Sequence, residues 1–181
     1  MEDQSASNDL KYPIGKFAVP AAFTPELRDL HLEQIAACPA ELRRAIDGLS
    51  SSQLDTPYRD GGWTVRQVVH HLPDSHMNAY VRHKLAVTEE QPTIRPYREA
   101  LWAELPDARS ADTALSLALL EALHARWTLF LRALPPEMFE RTFLHPDLPG
   151  PVPLAKNIGM YAWHGRHHVA QIDALRQRQR W

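Results

Sequence analysis

At 181 residues the chain has the length of one domain with a full hydrophobic core. Hydrophobic residues make up 44% and charged residues 23%, an ordinary globular composition, unlike that of a disordered or membrane chain. The net charge is -2 and the basic residues are scattered, which leaves no electrostatic footprint for nucleic acid.

The N-terminal MEDQSASNDL has no apolar segment, and no run of about 18 apolar residues follows, so neither a signal peptide nor a membrane span is expected. Residues 1–20 read as a polar tail and an extended strap, KYPIGKF followed by Pro20; residues 21–181 read as one helical domain. Thr24, Pro25 and Glu26 form a helix-start signal, and Leu27, Leu30, Ile35, Leu42, Ile46 and Leu49 keep helical spacing, with Pro39 expected to bend or divide the segment. After the turn TPYRDGG a second helix runs over residues 63–90, capped by Thr64, with a kink expected at Pro73. Residues 91–110, with Pro92, Pro96 and Pro106, read as a long crossover with one helical turn near Glu99 to Leu105. Residues 111–134 give the strongest helical pattern. The proline-rich stretch 135–153 is a loop or hairpin-like excursion, and Leu154 to Gln179 is the last helix. With no alternating strand pattern of any length, the fold class is all-α, an up-down four-helix bundle with long proline-rich crossover loops.

Ten histidines are the anomaly, and four of them form the pairs His70/His71 and His167/His168. With His164 set at zero on a helical wheel, Leu154, Ile158, Tyr161, Ile172 and Leu175 fall between roughly 20° and 120°, His168 near 40° and His167 near 300°. His164 and His168 thus face the bundle, and their i, i+4 spacing brings two imidazoles within reach of one ion. On the second helix His71 borders the inward face, His70 lies outside it, and His76, near 140°, is not excluded from facing a neighbour. Ser75, Asn78 and Arg82 continue the His71 side as a polar line, which suggests a wet cavity and makes them candidate substrate residues. His124 reads as a satisfied core or rim histidine, Trp163 as a helix or subunit contact, and His31, His83 and His145 as surface residues. The single cysteine, Cys38, excludes an internal disulfide, fits a cytoplasmic address and is a weak nucleophile candidate.

GGWTVRQVVHHLPDSHMNAYVR (61–82), TEEQPTIRPY (88–97), LHARW (123–127), YAWHGRHHVAQI (161–172) and YPIGKF (12–17) together resemble the DinB-like superfamily, in its YfiT-type branch of metal-dependent hydrolases. The resemblance covers the folded body and departs from it at Pro73, where a non-proline residue is expected. It implies a four-helix bundle, usually a homodimer, that binds one zinc or nickel ion through His71, His164 and His168. Three neutral imidazoles leave coordination positions open, as catalytic sites do. Such an ion activates water for hydrolysis or a thiol for transfer. The resemblance includes S-transferases that attach a low-molecular-weight thiol such as bacillithiol to an electrophile, and transfer is the preferred expectation. Hydrolysis is the alternative, and a non-catalytic, metal-stabilised scaffold is the third. Arg82 and Arg126 either hold substrate carboxylates or make structural ion pairs, and Asp74 and Glu99 are candidate proton-handling groups.

Overall fold

A computed structural model describes residues 10–181. The polar tail expected over residues 1–10 lies, apart from Leu10, outside the described residues. Four long helices carry the fold: α1 (Pro25–Ile46), α3 (Val65–Thr88), α6 (Thr113–Arg132) and α7 (Leu154–Gln179). Between them lie α2 (Ser51–Leu54), α4 (Glu99–Trp102), α5 (Pro106–Ser110), a 3-10 turn (Pro136–Glu140) and a two-stranded hairpin, β1 (Thr142–Leu144) with β2 (Pro151–Pro153).

The helix starts follow local chemistry. The Thr24 hydroxyl accepts from the Leu27 amide at 3.2 Å with Pro25 in the first turn. Thr64 and Gln67 cap α3 reciprocally, and the Asp112 carboxylate accepts from the Ala114 amide to start α6. α1 stops before Gly48, whose φ of 74° suits a residue without a Cβ.

Pro39 and Pro73 divide neither helix: α1 and α3 are continuous through them, and both rings are buried. Each proline forfeits one backbone bond, yet packing on both sides holds its helix together.

α1 packs on α6 and α7, and α3 packs on the same two helices, so α1 sits diagonally across from α3 and α6 across from α7. Two apolar clusters fill the interior. One gathers Ile35, Ala79, Trp127, Ile158 and Tyr161; the other gathers Leu42, Leu72, Leu120 and Ile172. The second cluster thus takes late residues of α1 and α7 but early residues of α3 and α6. The directions are therefore up, down, down, up, which corrects the alternating up-down order expected of the bundle, and the connection 89–112 must cross the length of the bundle between α3 and α6. At the waist, between the two clusters, lie His71, His76, His124, His164 and His168.

One expectation for a single residue is corrected. His83, read as a surface residue, has no exposed area: its Nε2 donates to Asn157 Oδ1 at 2.8 Å, and its Nδ1 accepts from Trp127 Nε1 at 3.0 Å. Trp163 contacts the strap, donating to the Gly15 carbonyl and stacking on His167. α6 as a whole reaches the hydropathy and length of a membrane span, but Leu117, Leu120, Trp127 and Leu131 on one of its faces are buried in the bundle.

Candidate metal centre

One ligand nitrogen from each of His71, His164 and His168 lies within 4.8 Å of the other two, at the bundle waist. α3 supplies the first and α7 the other two, one helical turn apart. The Nε2 atoms of His71 and His164 are 3.4 Å apart. Two imidazoles on one tetrahedral zinc at about 2.0–2.1 Å place their nitrogens about 3.3–3.4 Å from each other. Burial pushes the His71 imidazole down to about 4. Burial first, and then the neighbouring histidines, hold His164 and His168 well below 6.5. All three are therefore neutral at pH 7, the state in which imidazole binds a metal.

The surrounding hydrogen bonds decide which nitrogen each ring presents. A chain of contacts starts at the Ile35 carbonyl, which can only accept, 2.6 Å from His124 Nδ1. His124 Nδ1 therefore carries the proton, and its Nε2 accepts from His76 Nδ1 at 2.8 Å. His76 Nε2 in turn accepts from His164 Nδ1 at 3.0 Å, which leaves His164 Nε2 with a lone pair directed at the shared space. An independent contact orients His168. Gln171 Nε2 donates to the Lys11 carbonyl at 2.9 Å, so its Oε1 accepts from His168 Nδ1 at 2.8 Å and His168 Nε2 is free. Such outer partners set both the tautomer and the orientation of metal-binding histidines. The donor set fits a divalent transition-metal ion that accepts imidazole.

Cys38, His76 and His124 form a second close group, all buried. Burial pushes the Cys38 thiol up to about 12, and every nitrogen of the two rings is already in a hydrogen bond. We assign this group to orientation of His164 and not to a second ion.

Two clefts open onto the histidines. One, of about 420 Å³, is lined by His71, His164 and His168 together with Ser75, Arg82 and Tyr97. The other, of about 410 Å³, is lined by His164 and His168 with Tyr12, Arg59, Trp163 and His167. Trp63 and Glu99 border both. The Trp63 ring lies 4.7 Å from His71 and 6.5 Å from His168, centroid to centroid.

Of the candidate substrate residues, Ser75 and Arg82 line the first cleft. Asn78 does not: its amide donates to the Asp74 carbonyl one turn back, and it borders a separate groove with Arg95 and Trp102. Arg126 is exposed on α6 and lines neither cleft. Glu99 reaches both clefts, whereas Asp74 reaches neither; burial, and then Asp107, push its carboxyl up to about 6. His70, outside the inward face as expected, is nevertheless buried, against Ser116 Oγ at 2.7 Å and the Ala111 carbonyl. His167, also off the bundle face, is covered by Tyr12 of the strap and by Trp163.

From the sequence, Trp63, Gln171 and Tyr97 have no role at the site, and the strap is placed without its approach to the histidines. The i+3 spacing of Gln171 from His168 was readable; the approach of Lys11, 160 positions away, was not.

A four-helix bundle with three neutral histidines converging at its waist defines a class of metal-binding helical protein. The DinB superfamily profile matches residues 34–172, and the chain belongs to that superfamily. A Bacillus cereus strain AH820 protein named "Putative metal-dependent hydrolase" is 55% identical over 174 residues, covering 96% of this chain and 99% of the relative. A Bacillus anthracis protein of the same name matches to the same extent. Among solved structures, YfiT from Bacillus subtilis, described as "a probable metal-dependent hydrolase with an unusual four-helix bundle topology", superposes with a TM-score of 0.93 at 50% identity. That match covers 96% of this chain and 99% of YfiT.

Proposed function

We propose that the chain is a metal-dependent enzyme in which His71, His164 and His168 hold one zinc or nickel ion, and that it joins a low-molecular-weight thiol to an electrophile. A divalent ion held by three imidazoles supplies a Lewis acid that promotes loss of a proton from a thiol or a water near neutral pH. The observation that carries the transfer reading is the meeting of two clefts at His164 and His168, which gives two organic reactants separate approaches to one centre. Trp63 walls both approaches and keeps water from the His71 ring. Glu99, which borders both, accepts the proton that the thiol loses. The Tyr97 hydroxyl, which burial pushes up and keeps protonated, donates to the electrophile.

Hydrolysis is the second reading, favoured by the names of the relatives, and needs only water in place of the thiol. Assays of zinc- and nickel-loaded protein separate the readings. Turnover of a fluorogenic electrophile that requires thiol and disappears in His164→Ala is the expected result. Ester or amide turnover without thiol would replace transfer with hydrolysis. Full metal content with no turnover, and a lower melting temperature in His71→Ala, would leave a metal-stabilised scaffold.

A further inference from the structure

Arg82 is 7% exposed, and its Nε is shut off from solvent with no hydrogen-bond partner. No ion pair within 4.0 Å joins its guanidinium to any acid among the described residues, although other arginines, such as Arg66 with Asp55, are paired. A buried, unpaired cation is expensive to keep in a folded chain unless something else meets it. Arg82 lines the same cleft as the three histidines and, among the described residues, is the only lysine or arginine that does so. It lies eleven positions after His71 on α3, hence on the same face and about 16 Å further along the axis, with its side chain leaning back toward the site.

We propose that Arg82 is the anchor for a carboxylate at one end of an elongated substrate whose reactive end lies at the histidines. The proposal rests on the reading of the histidine centre only for the position of that reactive end. A planar guanidinium grips a carboxylate with two parallel bonds, and the hydroxyls of Ser75 and Tyr161 in the same cleft add neutral donors. A single negative charge fits better than a phosphate dianion, because Glu99 and Asp147 line the cleft too. Met160, Pro96 and Trp63 give the span between the two ends an apolar wall.

The test uses hexanoate and its uncharged analogue hexanamide, titrated by ligand-observed NMR into wild type and Arg82→Met, each with and without added zinc. Hexanoate is expected to bind wild type in both metal states, at least tenfold more weakly to Arg82→Met, and at least tenfold more tightly than hexanamide. Arg82→Met is also expected to melt at a higher temperature, since it removes the unpaired charge, so weaker binding will not reflect misfolding. Equal hexanoate affinity in the two proteins would overturn the proposal. So would binding that requires zinc and ignores Arg82, because the carboxylate would then sit on the ion. Arg82-dependent binding in a protein that takes up no zinc would sustain the anchor while removing the metal reading. If Arg82→Met fails to fold, Arg82→Lys, which keeps the charge without the fork, carries the test with a threefold loss as its threshold.

Discussion

At the residue scale, the centre depends on side chains that never touch the shared space. His124 and His76 transmit the demand of one carbonyl, that of Ile35, to the proton position on His164, and Gln171 does the same for His168. Removing such an outer partner typically lowers metal affinity by about 10–100-fold. Gln171→Leu and His76→Phe are each expected to weaken zinc binding within that range in competition with a chelator; affinities equal to wild type would show that the orienting contacts do not matter. Elsewhere, His83 is neutral by construction, since it accepts from Trp127 and donates to Asn157, and burial pushes it from 6.5 to about 4. The unfolded chain binds this proton more readily than the fold does, so the contribution is complete above pH 6.5 and is lost as the pH falls toward 4. The full loss is of order 3 kcal/mol. Urea unfolding of the metal-free protein between pH 7 and 4.5 is expected to show that decline, and to show a shallower one in His83→Gln.

At the scale of elements, the close approach of α1 and α7 depends on Gly165. A Cβ there would lie 2.6 Å from Cys38 Sγ, nearer than any real contact. Gly165→Ala is expected to destabilise the protein by about 1–3 kcal/mol, and Cys38→Ala to restore most of the loss, measured by denaturant unfolding. An additive pair of effects would mean that the two helices meet elsewhere. Helix limits were largely legible from local signals: Thr24, Thr64 and Leu154 begin their helices where the sequence places them. Pro39 did not divide its helix because a ring's effect on its own helix is local, whereas what holds the helix through it comes from neighbouring helices. His83 misled for a related reason. A helical wheel separates the face turned to the centre from the rest, but α6 and α7 cover more of α3 than that one face.

At the scale of the whole molecule, helix direction decides what reaches the waist. Because α3 and α6 run the same way, the connection between them must pass the histidines, and it places Tyr97 and Glu99 at the clefts. The Ile94 amide donates to the Leu144 carbonyl at 2.9 Å and ties that connection to the hairpin that carries His145 and Asp147. The strap closes the other side, through Tyr12 on His167 and the Lys11 carbonyl on Gln171. Tyr12→Ala is expected to leave zinc stoichiometry unchanged while raising KM for whichever reactant enters beside the strap; an unchanged KM would remove the strap from that approach. His164 and His168 were legible because helical period alone aligns them, and the match of a family motif adds His71. The cleft walls were not legible, since crossover and strap reach the site by tertiary packing that no local pattern encodes.

Metal content is the most direct test of the central claim. After zinc reloading and removal of excess, elemental analysis is expected to find one ion per chain in wild type and in His167→Ala, and little in His71→Ala, His164→Ala or His168→Ala. Full occupancy in any of those three variants, or a wild type that stays substoichiometric after zinc is added back, would contradict it.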